Sequence, residues 1–250
     1  MDEGAIRNIV EGVLKSVLPQ LEMMSASSAE AGKAQPHGSC GTRAEIPAGA
    51  NADGPIPVEL SGRHVHLSEK DAVALFGASL THARDLSQPG QFLAKERVRL
   101  IGPKGVIDNV AVLGPVRSAS QVEISKTDAR ILGTDALVRQ SGDTDGTPGI
   151  ILASQTGIVG LEEGLIVASR HIHMSPEDAM RFRVADNDLV SVRIDGDRPV
   201  ILEDVLVRVH GQFRLAMHID PDEGNSSGWN SSVTGTIVCR KHGVDHGRGH

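Results

Sequence analysis

The chain has 250 residues and a formal net charge of -7 at pH 7. An acidic balance disfavours nucleic acid and anionic lipid as partners, and an aromatic content of 2% provides few base-stacking groups. Two cysteines are too few for a disulfide framework, and we expect neither a membrane span nor a secretory signal. These features leave small molecules and other proteins as the expected partners.

The first 21 residues carry one apolar stripe at helical spacing. The stripe is formed by Ile6, Ile9, Val10, Val13, Leu14, Val17, Leu18 and Leu21. It predicts an amphipathic helix over residues 1–21, and the Ala, Ser, Gly and Pro content of residues 22–54 predicts a flexible linker after it. An isolated helix of this length is marginal in water, so its apolar face needs a surface to bind. A recognition tag for a larger assembly is favoured, while docking on the chain's own body or pairing between subunits stays open.

The body of the chain consists of short β-type runs separated by Gly, Pro and Asp. The runs are Ile56 to Leu60, Arg97 to Ile101, Val106 to Leu113, Gln121 to Ser125, Gly149 to Ala153, Gly164 to Ala168, Leu189 to Ile194, Val200 to Val209 and Phe213 to Ile219. Many short strands with such turns predict a mainly β fold built from barrels or sandwiches.

The motif Arg-His-x-His occurs twice, with His64 and His66 in the first copy and His171 and His173 in the second. The repetition indicates a duplicated unit. Side chains at i and i+2 of a strand point to the same face, so each histidine pair can converge on one metal ion. A single pair would fit an ordinary exposed strand face. Its recurrence favours metal binding.

Each histidine pair is followed by residues that favour the start of a helix. Ser68 and Ser175 suit the N-cap position, and Asp71 and Asp178 fall at the third helical position, near the positive end of the helix dipole. Pro176 suits the first helical position. Each copy therefore predicts a strand, a cap and a short helix.

Two further residues are ambiguous from the sequence alone. Glu123 lies between Val122 and Ile124 in a β-type run, so it faces either solvent or a polar site. His218 lies at the end of a strand, before an acidic loop that contains glycine. A lone histidine at such a position is more often an ordinary surface or core residue than a ligand.

Four segments together resemble the PduL-type phosphotransacylases of bacterial microcompartments. They are residues 61–68, 114–117, 170–176 and 217–220, within a likeness that spans roughly residues 55–240. Members of this family typically carry an N-terminal encapsulation peptide, which residues 1–21 resemble. The resemblance thus implies a place in the microcompartment lumen within the cytoplasm, with shell or cargo proteins as partners of that peptide.

The resemblance implies two small β-barrel domains formed from a duplicated unit with short helices. The first repeat would span residues 55–168, with residues 55–62 supplying a strand to the other barrel. The second repeat would span residues 169–240, followed by a tail at 241–250, and the protein would be a homodimer.

The resemblance also implies a site with two zinc ions. His64, His66 and His218 would hold one zinc, and Glu123, His171 and His173 would hold the other. Arg117 matches the essential arginine of the family, and the coenzyme A (CoA) contacts would come from Ser61, His218 and Asn225.

These expectations describe a zinc-dependent phosphate acyltransferase. It would interconvert acyl-CoA and phosphate with acyl phosphate and CoA, recycling CoA for propanediol degradation, with propanoyl-CoA or acetyl-CoA as substrate. A dinuclear zinc hydrolase of acyl-CoA or a phosphoester is one alternative, and a zinc-stabilised structural protein of the microcompartment is another. Arg63 and Arg170, which precede the histidine pairs, would either bind phosphate or brace the local fold.

Overall fold

The computed structural model describes residues 54–241, and the mainly β class is confirmed there. The strands are β1 (Ile56–Leu60), β2 (His64–Ser68), β3 (His82–Asp85), β4 (Phe92–Ile101), β5 (Val106–Arg117), β6 (Gln121–Glu123), β7 (Leu137–Arg139), β8 (Ile150–Ala153), β9 (Ile158–Leu161), β10 (Leu165–Ala168), β11 (His171–Met174), β12 (Leu189–Ile194), β13 (Val200–Val209), β14 (Ala216–Ile219) and β15 (Thr234–Lys241). The helices are α1 (Glu69–Phe76), α2 (Lys126–Leu132), α3 (Pro176–Phe182) and α4 (Pro221–Ser227). The predicted helix at residues 1–21, most of the linker and the tail after residue 241 lie outside the described residues.

Six strands form a closed barrel in the order β1-β14-β11-β13-β12-β15. The remaining nine form an open sheet in the order β7-β10-β6-β2-β5-β4-β8-β9, with β3 beside β4. Each sheet packs around its own apolar core. One of the two expected barrels therefore closes through hydrogen bonds and the other does not. No helix within residues 54–241 has the length and apolar character needed to cross a bilayer.

The chain crosses from one sheet to the other immediately before each histidine pair. β1 lies in the closed barrel, parallel to β14, and the chain then enters β2 of the open sheet. β10 lies in the open sheet, parallel to β6, and the chain then enters β11 of the closed barrel. The two sheets are thus joined by two short crossings, residues 61–63 and 169–170, which place both histidine pairs at the junction.

The predicted helix starts after the histidine pairs are confirmed. The Ser68 side chain accepts a hydrogen bond from the Asp71 backbone nitrogen, and Ser175 accepts one from Asp178 in the same way. The expected loop after His218 is wrong, because residues 221–227 form α4. The Asp220 side chain caps this helix. The cap and the proline at the first helical turn outweigh the poor helix propensity of the glycine, asparagine and serine residues that follow.

Candidate metal and anion site

Four strands that carry candidate ligands end in the same local pattern. In each, a ligand lies two residues before the N-cap of a short helix whose third residue is acidic. The ligand and cap pairs are His66 with Ser68, Glu123 with Ser125, His173 with Ser175, and His218 with Asp220. This fourfold pattern is visible in the sequence. The pattern identifies Glu123 and His218 as candidate ligands without any resemblance to a family.

The strand register brings the candidate ligands together in two groups. In the open sheet His64 lies opposite Glu123, and in the closed barrel His171 lies opposite His218. Each group therefore consists of a histidine pair and one residue from the neighbouring antiparallel strand. Glu123 belongs with the first histidine pair and His218 with the second, unlike the grouping that the resemblance implied.

The first group is compact and buried. The Nε2 atom of His64 lies 3.5 Å from Oε2 of Glu123, and that of His66 lies 3.8 Å from Oε1. One potential ligand atom from each of the three residues lies within 4.8 Å of the other two. All three side chains are less than a tenth exposed. The group thus offers two imidazoles and one carboxylate, a ligand set that zinc accepts.

The second group consists of three histidines. The Nε2 atoms of His171 and His173 are 3.1 Å apart, close to the roughly 3.3 Å expected for two nitrogen ligands of a tetrahedral zinc at about 2.0–2.1 Å. The ring of His218 stacks on His171 with centroids 5.3 Å apart and lies edge-on to His173 at 5.0 Å. The three rings therefore lie next to one another.

Hydrogen bonding orients the first histidine of each pair towards the site. Nδ1 of His64 bonds the carbonyl oxygen of Gly62 at 2.8 Å, and Nδ1 of His171 bonds that of Ser169 at 2.8 Å. Such bonds fix the tautomer that leaves Nε2 as an electron-pair donor. One ring nitrogen of each remaining histidine is buried without a hydrogen-bond partner, namely Nδ1 of His66, Nδ1 of His173 and Nε2 of His218. Because buried polar atoms rarely lack a partner, the Nε2 atom of His218 fits a bound metal, whereas His66 and His173 present their other nitrogen, Nε2, to the site.

Burial and mutual charge set the protonation of both groups. Burial lowers the pKa of His66 to about 3, that of His173 to about 2 and that of His218 to about 3. Burial also opposes the charged form of His64, but the carboxylate of Glu123 outweighs it and raises the His64 pKa. Although burial disfavours its charge, Glu123 has a pKa well below the usual range because of His64 and His66. Burial lowers the pKa of His171 as well, so the carboxylate is ionised and four of the five imidazoles are neutral, as metal binding requires.

A hydrogen-bond network that the sequence did not reveal holds Glu123 in place. Gln121 donates from Nε2 to Oε1 of Glu123 at 2.6 Å, and the Ser141 hydroxyl donates to the same oxygen at 2.8 Å. Nη1 of Arg117 donates to Oγ of Ser141 at 3.2 Å. The predicted essential arginine is thus linked to the carboxylate ligand through one serine.

Both ligand groups open to one cavity of about 280 Å³. Arg117 and Arg208 line it together, and Ser61 lies at the crossing between the sheets. Burial and the charge of Arg208 lower the pKa of Arg117, although Glu123 opposes this shift. Two guanidinium groups that face the same cavity repel each other, so the cavity favours an anion. Sequence reasoning missed Arg208, which lies near the end of β13, opposite His173.

The remaining candidates lie around this cavity or outside it. Arg63 forms an ion pair with Asp128 at 3.2 Å, and Arg170 forms one with Glu223 at 2.7 Å. Both carboxylates belong to the first turns of helices that follow ligand strands, so the two arginines brace the fold. Asn225 lies exposed on α4, apart from the residues that line the cavity, and its contact with CoA stays a prediction.

Comparison with known proteins identifies the family. Residues 57–230 match the family described as phosphate propanoyltransferase. The phosphate propanoyltransferase of Leptotrichia buccalis is 57% identical over 191 residues, which cover 76% of this chain and 90% of that protein. Those of Listeria monocytogenes and Thermotoga maritima are 54% and 52% identical, covering 73% of this chain and 87% of each relative. The chain belongs to the phosphate propanoyltransferase family and is an acyltransferase, and the hydrolase and structural alternatives are not favoured.

The buried neutral histidines predict an acid-sensitive metal-free protein. Imidazoles titrate near pH ~6.5 in an unfolded chain but near pH 2 to 3 at His66, His173 and His218. The stability that these three neutral imidazoles contribute is therefore fully present above about pH 6.5 and is lost as the pH drops towards 3. His64 partly offsets this loss, because its pKa is raised in the folded protein. We expect chelator-treated protein to lose about 2 kcal/mol or more of unfolding free energy between pH 7 and pH 5, measured by urea titration.

The matched controls are His218→Asn and His82→Asn. Replacing His218 should make the pH dependence shallower, whereas replacing the exposed His82 should leave it unchanged. An equal pH dependence in the wild type and in His218→Asn would contradict the assignment of neutral buried imidazoles.

Proposed function

We propose that the enzyme transfers propanoyl or acetyl groups between CoA and phosphate at a site that holds two zinc ions. One observation carries this proposal: both ligand groups line a single cavity together with four arginines, among them Arg117 of the open sheet and Arg208 of the closed barrel. Both substrates are anions, and phosphate must approach the thioester closely. A cavity lined by guanidinium groups and metal ligands provides the positive charge that this approach requires.

The residues that would hold the metals are those of the two groups. His64, His66 and Glu123 would bind one ion, and His171, His173 and His218 would bind the other. Zinc bound in this way supplies a Lewis acid that offsets the charge of phosphate and polarises a carbonyl oxygen. Gln121 and Ser141 would keep Glu123 oriented as a ligand, since both donate to its Oε1 atom.

The arginines would position phosphate for direct attack on the thioester. An unprotonated oxygen of hydrogen phosphate forms a bond to the carbonyl carbon, and the carbon–sulfur bond breaks. The sulfur leaves with the electron pair as the CoA thiolate, and the phosphate proton is released to solvent or to the thiolate. Arg117 and Arg208 would bind the phosphate oxygens and the negative charge that develops on the carbonyl oxygen. This sequence of steps needs no acyl-enzyme intermediate.

The requirement for both phosphate and metal can be tested in one assay. Thiol release from propanoyl-CoA should depend on inorganic phosphate, should stop after chelation and should return when zinc is added. Acyl phosphate should form in amounts equal to the thiol released. Thiol release without phosphate would indicate a hydrolase, and full activity in metal-free protein, checked by elemental analysis, would contradict zinc dependence.

Arg117 is expected to be essential for turnover but not for metal binding. Arg117→Ala should lower kcat by about a hundredfold to a thousandfold, the usual cost of removing one group that stabilises charge in the transition state. Its metal content should match that of the wild type, because the arginine donates its hydrogen bond to Ser141 and is not one of the candidate ligands. Arg193→Ala, which removes an exposed arginine on β12, is the matched control and should keep normal activity. Loss of metal in Arg117→Ala would assign this residue a structural role instead.

We further propose that residues 1–21 direct the enzyme into the lumen of a bacterial microcompartment, where it would recycle CoA. The support is the apolar stripe and the polar linker that follows it. A fluorescent protein fused to residues 1–54 should colocalise with assembled shells, and Val13→Asp should abolish this, whereas Glu11→Ala on the polar face should not. Diffuse fluorescence of the unaltered fusion would contradict the proposal.

A homodimer is also proposed, and sedimentation equilibrium should give twice the chain mass.

A further inference from the structure

One wall of the cavity is apolar, although most of its lining is polar or charged. This wall is formed by Leu93 of β4 and by Ala111 and Leu113 of β5. All three are partly exposed, whereas Val110 and Val112, which alternate with them on β5, are fully buried in the core. The strand therefore turns one face to the core and presents the other to the cavity.

The strand register fixes the apolar wall beside the first ligand group. Ala111 pairs with His64, and Leu113 pairs with His66 on one side and with Leu93 on the other. Adjacent strands lie about 4.8 Å apart, so Leu113 is the immediate neighbour of His66 and Leu93 lies one strand farther. The wall thus begins at the ligands and extends away from them.

We infer that this wall binds the alkyl part of the acyl group and determines which chain lengths the enzyme accepts. The inference rests on the proposed function. A thioester carbonyl placed between the first ligand group and Arg117 would have its alkyl tail next to an apolar or a charged surface. Only the apolar side stabilises the tail, because burying methylene groups against leucine removes them from water.

Within the wall, Ala111 controls the available space. It is the smallest of the three side chains, and it lies next to His64, closest to where the tail leaves the carbonyl. A larger side chain at this position would occupy the volume that the terminal carbons of a longer acyl group need. A smaller side chain at position 113 would open additional volume beside His66.

The test compares kcat/KM for acetyl-CoA, propanoyl-CoA and butanoyl-CoA in two variants. Ala111→Leu should lower the ratio of butanoyl to acetyl activity by about tenfold or more, the usual effect of one methylene in a fitted pocket. Leu113→Ala should raise the same ratio. Leu60→Ala, which removes a leucine of the cavity lining that lies on β1 of the closed barrel, is the matched control and should leave the ratio unchanged.

Two further measurements make the outcome decisive. Thermal unfolding identifies a variant that fails to fold, and Leu113→Met, which conserves volume, then replaces Leu113→Ala and should keep the wild-type ratio. The inhibition constant of free CoA should be unchanged in Ala111→Leu. An equal loss for all three acyl chains, together with weaker CoA binding, would assign the wall to the CoA arm and overturn the inference. A wild type inactive with every acyl-CoA would instead contradict the proposed function.

Discussion

The site depends on how the chain crosses between the two sheets. Each crossing joins a strand of one sheet to the histidine pair of the other, and its backbone carbonyl, from Gly62 or Ser169, bonds the first histidine of that pair. The same connection that ties the sheets together therefore also orients a ligand. Because two crossings occur side by side, neither ligand group can move far from the other without breaking the pairing of β1 or β10.

Electrostatics explains why such a site needs a stable scaffold around it. Burial penalises charge on the imidazoles, and the carboxylate of Glu123 remains ionised because His64 and His66 are adjacent and Ser141 donates a hydrogen bond to it. The Nε2 atom of His218 is also buried without a hydrogen-bond partner. Capped helices follow the ligand strands, and Arg63 and Arg170 form ion pairs with two of these helices. Together these contacts hold the buried histidines and Glu123 in place.

Local sequence patterns predicted local structure well. The caps at Ser68 and Ser175 follow from hydrogen bonds within four residues, so the sequence was sufficient to place both helix starts. Asp220 caps α4 in the same way, so the loop predicted after His218 is wrong. The short strands β3, β7 and β9 were missed because they contain three or four residues each, too few for a periodic pattern.

The sequence alone determined the mainly β class, the duplicated histidine motif and the resemblance to the phosphotransacylases. These properties depend on residue order and spacing, which a single chain displays directly. Tertiary structure decided that Glu123 joins the first histidine pair, that Arg208 and Ser141 belong to the site and that an apolar wall lies beside His66. Such contacts join residues far apart in the chain, and they depend on strand register, which no local pattern specifies.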